Sequence, residues 1–166
     1  MKTAIIVLNY NSEKETEEYI NKIKEYNILD KIIVVDNMST TIGAYEILKK
    51  LKNNKIDVIR SERNGGYSYG NNYGIHYLES LGEKYDNIII SNADIDIEEN
   101  AIKECIEVLN SDEKIAVTAP KMYNIEKKPS RRSSWKLRTP KLDMVHSTRL
   151  MEILFLKYLF LFLYFA

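Results

Sequence analysis

Two stretches of strand length, Ala4-Ile5-Ile6-Val7-Leu8-Asn9 and Lys31-Ile32-Ile33-Val34-Val35-Asp36, are apolar without alternation. A strand with one wet face alternates apolar and polar residues. A run without that interruption belongs in a sheet covered on both faces, which is the setting of parallel strands. Helical patterns lie between and after these runs. Ser12 with Glu15 reads as a capping box opening a helix to about Tyr26, with Thr16, Tyr19, Ile20 and Ile23 turned inward. A second helix is expected around Ala44 to Leu51, and Ile56-Asp57-Val58-Ile59-Arg60 reads as a third strand. A helix begins within the glycine-rich segment 64–74 and ends near Gly82, and Asn87-Ile88-Ile89-Ile90 is the fourth strand. Glu98 to Leu109 repeats apolar residues at helical spacing, and Ile115 to Ala119 reads as a fifth strand stopped by Pro120. Strands alternating with helices in this way predict a three-layer α/β/α domain with a mostly parallel sheet.

A chain of 166 residues suffices for one domain with a real core. The formal net charge is zero, so nothing in the balance calls for nucleic acid. Charge is uneven along the chain, however. Lys127, Lys128, Arg131, Arg132, Lys136, Arg138 and Lys141 form a basic stretch without an acid. The domain is therefore expected over 1–124, a basic loop over 125–142 and an apolar helical tail over 143–166. From Leu150 on, the tail is broken only by Glu152 and Lys157, apart from its polar-tipped tyrosines. As a helix this last part would be about 25 Å long, against a bilayer core of about 30 Å, so it suits a membrane surface better than a crossing. The lone Cys105 forms no internal disulfide, which fits a reducing compartment. Met1-Lys2-Thr3 leads straight into a strand, so no signal peptide is expected. The expected location is cytoplasmic, or peripheral on the inner face of the cell membrane.

Acids stand at the ends of two strands. In open α/β sheets ligands bind beyond the carboxyl ends of strands. Asp36, closing the second strand, can accept from a ribose hydroxyl or a base N–H, or it can cap the turn that follows. Asp94 and Asp96 follow the fourth strand, spaced by two. In extended chain their Cα atoms would lie about 6.6 Å apart on one face. A hard cation, Mg²⁺ or Mn²⁺, takes one or two carboxylates together with substrate phosphates. Asp94 reads best as such a ligand. Asp96 is the second metal candidate, although its place before Glu98 and a helix also suits capping. Gly65, Gly66, Gly70 and Gly74 permit close backbone approach. They form neither a P-loop nor a dinucleotide fingerprint, because no Gly-Lys-Ser/Thr follows and the first strand leads into Asn9-Tyr10-Asn11-Ser12. His76 and His146 have no ligand-spaced partner, and Trp135 lies inside the basic stretch.

Taken in order, Ile5-Ile6-Val7-Leu8-Asn9-Tyr10-Asn11-Ser12, Val34-Val35-Asp36-Asn37-Met38-Ser39, the segment Asn64 to Ile75, and Ser91-Asn92-Ala93-Asp94 resemble the family 2 glycosyltransferases, above all their bacterial rhamnosyltransferase-like branch. The resemblance covers roughly Met1 to Tyr123. It implies the GT-A fold, a nucleotide-sugar donor and a divalent metal. It also implies that Leu8, Asn9 and Asn11 line the nucleotide pocket, that Asp36 meets base or ribose, and that Asn64, Gly65 and Asn71 help form the donor pocket. Asn92-Ala93-Asp94 stands in place of the family's DXD motif, with Asn92 where its first acid belongs. The implied reaction is metal-assisted inverting transfer to a saccharide or polyprenyl-linked acceptor in bacterial surface polysaccharide synthesis. The family's base lies in an acidic motif downstream of the DXD position, and after Glu126 this chain has only Asp143 and Glu152. The expectation is thus a chain that stops before the acceptor half. A nucleotide- or partner-binding module without transfer is the alternative.

Overall fold

Four strands lie side by side in the order β3-β2-β1-β4. They are β1 (Thr3–Asn9), β2 (Lys31–Asp36), β3 (Ile56–Arg60) and β4 (Asn87–Asn92), and every neighbouring pair is parallel. The computed structural model describes residues 1–123. Expectations for the basic loop, for the apolar tail and for Trp135 and His146 fall outside the described residues. Met1–Pro120 form one compact unit, and no helix among the described residues is long and apolar enough to cross a membrane.

The unalternating runs behave as their composition requires. In β1 and β2 odd and even residues serve two separate cores. Ile5, Val7, Ile32 and Val34 face one core with Tyr19, Ile20, Ile23 and Leu48. Ala4, Ile6, Ile33 and Val35 face the other with Leu78. The first core is covered by α1 (Glu13–Ile23) and α2 (Ala44–Lys49), the second by α3 (Gly66–Ser80). Burying apolar area from both sides of one strand is the main stabilising term of this architecture, worth about 25 cal/mol per Å². α3 comes close to the sheet because two of its small residues allow it. A Cβ on Gly74 would lie 2.7 Å from Ile6 Cγ2 and 2.9 Å from Val35 Cγ2, and one on Gly70 would lie 2.3 Å from Leu8 Cδ1.

Two expectations fail. Ile115–Ala119 is not a strand. Residues 115–119, beyond α4 (Glu99–Ser111), have no backbone ladder partner among the described residues, and Val117 is exposed. A β-branched run satisfies strand propensity, but only a neighbouring strand makes it one. Ser12 does not close a capping box either. Its hydroxyl donates to the Tyr10 carbonyl at 3.1 Å, and no side chain caps α1. The cause is Asn11, whose φ of 54° folds the loop back on itself.

Candidate donor and cation site

The strand register places the two acidic segments. Asn9 pairs with Asp36, and Leu8 pairs with Asn92. The tips of β2 and β4 therefore flank the tip of β1 at the carboxyl end of the sheet, about 10 Å apart at one strand spacing each. Asp36 and the turn bearing Asp94 share an edge of the sheet, as a ligand spanning them requires.

The β2 corner is a closed polar network. Asp36 is 0 % exposed. Its Oδ1 accepts from Asn9 Nδ2 at 3.2 Å and from the Ser39 backbone N–H at 3.2 Å. Asn9 Nδ2 also donates to Ser39 Oγ at 3.0 Å, and Asn9 Oδ1 accepts from Thr16 Oγ1 of α1 at 2.9 Å. Asn9 thus ties β1, β2 and α1 together with its whole amide, buried at the junction. Among the described residues Asp36 Oδ2 has no hydrogen bond, although Arg60 Nε lies 3.2 Å away, within ion-pair range but off hydrogen-bond alignment. A carboxylate taken out of water needs such compensation. Arg60 is the last residue of β3, directly opposite Asp36 in register. Its Nη2 donates to the Ser39 carbonyl at 3.0 Å, and its guanidinium stacks 5.6 Å from the centre of the Tyr45 ring. The corner therefore leaves one anionic oxygen with spare acceptor capacity beneath an arginine.

Asn11 joins the β1–α1 loop to the loop after β2. Its Nδ2 donates to Thr40 Oγ1 at 3.0 Å, and its Oδ1 accepts from the N–H groups of Thr40 at 2.8 Å and Thr41 at 3.1 Å. On the α3 side of the sheet, Leu8 packs with the second core. Asn37 Nδ2 donates to Asn64 Oδ1 at 3.1 Å and to the Gly66 carbonyl at 3.2 Å, and Asn64 Oδ1 also accepts from the Gly66 N–H at 3.1 Å. Gly65, just before α3, is part of this turn. Asn71 is buried. Its Nδ2 donates to the Tyr67 carbonyl at 3.0 Å while its Oδ1 has no partner among the described residues. All these expected donor-side residues thus gather at the carboxyl ends of β1 and β2 or at the start of α3.

The β4 side is organised differently. Asn92 is exposed, opposite in facing to Ser91, which bonds α1 through Tyr19 Oη at 2.7 Å. Burial is the largest influence on the Tyr19 phenol and raises its pKa, with the Ser91 bond opposing it. Asp94 is exposed, and among the described residues it makes no hydrogen bond or ion pair. Asp96 bonds Lys22 Nζ of α1, and Glu98 Oε1 meets the same ammonium at 3.0 Å. The bonds to Asp96 first and Glu98 second hold the Lys22 pKa above its ordinary value. Asp94 and Asp96, read together as cation ligands, are thus separated by partnership: one free, one paired to lysine. No group of three or more acids, histidines or cysteines that could hold a metal stands among the described residues. A free carboxylate at a strand tip fits a hard cation whose other oxygens come from a diphosphate and water.

Arg60, Ser39 and Asn37 escaped the sequence reading as site residues. The signal for Arg60 was available: aligning the polar ends of the second and third strands sets it opposite Asp36.

Residues 4–162 match glycosyl transferase family 2. The chain belongs to glycosyl transferase family 2. It is similar to the low-salt glycan biosynthesis hexosyltransferase Agl10 of Haloferax volcanii, at 29% identity over 124 residues, 74% of this chain and 37% of that protein. Its fold is similar to that of the mannosyltransferase PcManGT from Pyrobaculum calidifontis in complex with GDP-Man and Mn²⁺, with a TM-score of 0.56 at 17% identity over 66% of this chain and 32% of that one. It is also similar to S. aureus TarS 1-349 in complex with UDP-GlcNAc, with a TM-score of 0.52 at 24% identity over 66% of this chain and 31% of that one. This family 2 chain spans about a third of the length of each of these relatives. The likenesses carry the GT-A fold onto the α/β unit described above.

Proposed function

We propose that this chain is the donor-binding part of a nucleotide-sugar-dependent glycosyltransferase of hexosyl type, acting on a saccharide or polyprenyl-linked acceptor in surface glycan synthesis. The observation that carries this reading is the placement of one buried and one free carboxylate, Asp36 and Asp94, on strand tips either side of β1. The nucleoside would lie over the β2 corner, where Asp36 Oδ2 has spare acceptor capacity beside Arg60. Asn11, Asn64 and Asn71 offer amides around it, and the orphaned Asn71 Oδ1 would take a donor from the ligand. Asp94 would anchor Mg²⁺ or Mn²⁺, and Asn92 would meet the donor beside it. When bound, such a cation neutralises charge on the departing diphosphate. Asp96 would act through its pairing with Lys22 rather than as a free ligand. The basic stretch and apolar tail, 127–166, would bring the protein to the inner face of an anionic membrane, where each exposed lysine or arginine adds about 1 kcal/mol.

Calorimetric titration of UDP, GDP and dTDP, with and without Mn²⁺, tests the site. The expected result is that Mn²⁺ tightens binding of one of them, and that Asp94→Ala removes that gain, a loss of about tenfold or more. Equal gains in both proteins would take Asp94 out of the site. Release of nucleoside diphosphate from labelled nucleotide-sugars, followed alongside, separates transfer from binding. Binding without release would assign the chain to the non-catalytic reading.

A further inference from the structure

The turn from Ser91 to Glu99 is laced to α1 and to the residues just after it. Tyr19 Oη meets Ser91 Oγ at 2.7 Å where β4 ends. Lys22 holds Asp96 and Glu98 one turn of helix later. Tyr26 Oη donates to the Ile97 carbonyl at 2.7 Å, and the Ile28 N–H donates to Glu99 Oε1 at 3.0 Å where α4 begins. Ala93 and Ile97 add apolar contact with the same core. The turn is thus held at both ends, and Asp94 projects from its middle with no partner of its own among the described residues. The other end of α1 holds the β2 corner through Thr16 and Asn9.

We propose that Tyr19 and Tyr26 are positioning residues for the cation: through them α1 and the residues just after it fix the Asp94 turn relative to the nucleoside corner. The inference rests on the reading of Asp94 as the cation anchor. Magnitudes decide which links matter. Lys22 and its acids are exposed, with side chains at 37%, 80% and 75%. Such surface pairs contribute little and are screened. The Tyr19 bond is buried and the Tyr26 bond half-buried, so these carry most of the constraint. A metal site held loosely loses affinity even with its ligand intact, because the ordering is then completed at the moment of binding.

The test replaces phenol by phenyl, which removes the hydrogen bonds and leaves charge unchanged. Ser91 Oγ keeps its bond to the Asn92 carbonyl at 3.1 Å, so the buried Ser91 hydroxyl is not stranded. Tyr19→Phe/Tyr26→Phe and Tyr26→Phe alone are compared with the native full chain; the single variant guards against unfolding of the double one. The first reading is the ratio of nucleotide affinity with and without Mn²⁺, using whichever of UDP, GDP and dTDP binds most tightly. Positioning predicts that this ratio falls about threefold or more in the double variant and less in the single one, while metal-free affinity holds. A merely structural role would weaken both affinities together and leave the ratio unchanged. The second reading is amide hydrogen exchange without ligand, expected to speed up over 92–98 and not over 4–9. An unchanged ratio or unchanged exchange overturns the inference. A native ratio that Asp94→Ala abolishes but the tyrosine variants leave intact overturns it alone. A native chain with no Mn²⁺ gain overturns the Asp94 reading and this inference with it.

Discussion

At the scale of single residues, side chains without formal charge do much of the holding around the buried Asp36. Asn9 spends its entire amide on Asp36, Ser39 and Thr16, and Asn11 holds two threonines of the neighbouring loop. Gly74 matters for a different reason: it has no room for a side chain against Ile6 and Val35. Gly74→Ala is expected to destabilise the fold by about 1–3 kcal/mol despite alanine's better helix propensity, because the overlap is with packed core atoms. Urea denaturation checks this, and an increase in stability would show that α3 can back away from the sheet. Asp36 was legible in the sequence because it ends an apolar run. Its neighbour across the sheet, Arg60, was legible only by aligning the ends of two runs, since pairing between strands is invisible to a reading of each run by itself.

At the scale of elements, β1 and β2 were readable because uninterrupted apolar runs have few other places to go. Helix α1 was readable from the spacing of Thr16, Tyr19, Ile20 and Ile23, all of which are buried. The start of α1 was misread. Ser12 has the chemistry of a cap, but the left-handed turn at Asn11 spends its hydroxyl elsewhere. The segment 115–119 was misread because its composition cannot say whether a neighbour exists. α4 sits between these cases. It forms as expected, yet only Ile102 of its residues is buried among the described part of the chain. Few buried contacts mean low local stability. Amides in 99–111 are therefore expected to exchange faster with D₂O than those of the similarly long α3, which buries four residues against the sheet. Equal protection would show that α4 is held by more than its own apolar stripe.

At the scale of the whole described unit, the sheet order gathers residues far apart in sequence at one edge, and this is what turns a set of modest motifs into a site. Asn9, Asp36, Arg60 and Asn92 end four successive strands. The α/β class followed from the alternation of strands and helices and the GT-A type from the family resemblance, whereas the different surroundings of the two tips did not. It depends on which side chain on α1 reaches which loop, and that needs three-dimensional register. The two sides of the edge are also built from different forces. The β2 corner is joined largely by neutral amides and hydroxyls around one buried carboxylate, and the turn bearing Asp94 takes part of its support from the water-facing Lys22, Asp96 and Glu98. Ionic strength reaches these unequally, since at 0.1 M the Debye length is already about 10 Å and exposed pairs are damped first. Raising KCl from low to molar concentration is thus expected to loosen 94–98 modestly by hydrogen exchange, the tyrosine bonds keeping most of the hold, while 9–11 and 37–41 keep their protection. A brine-tolerant half and a brine-sensitive half would then sit two strands apart on one sheet.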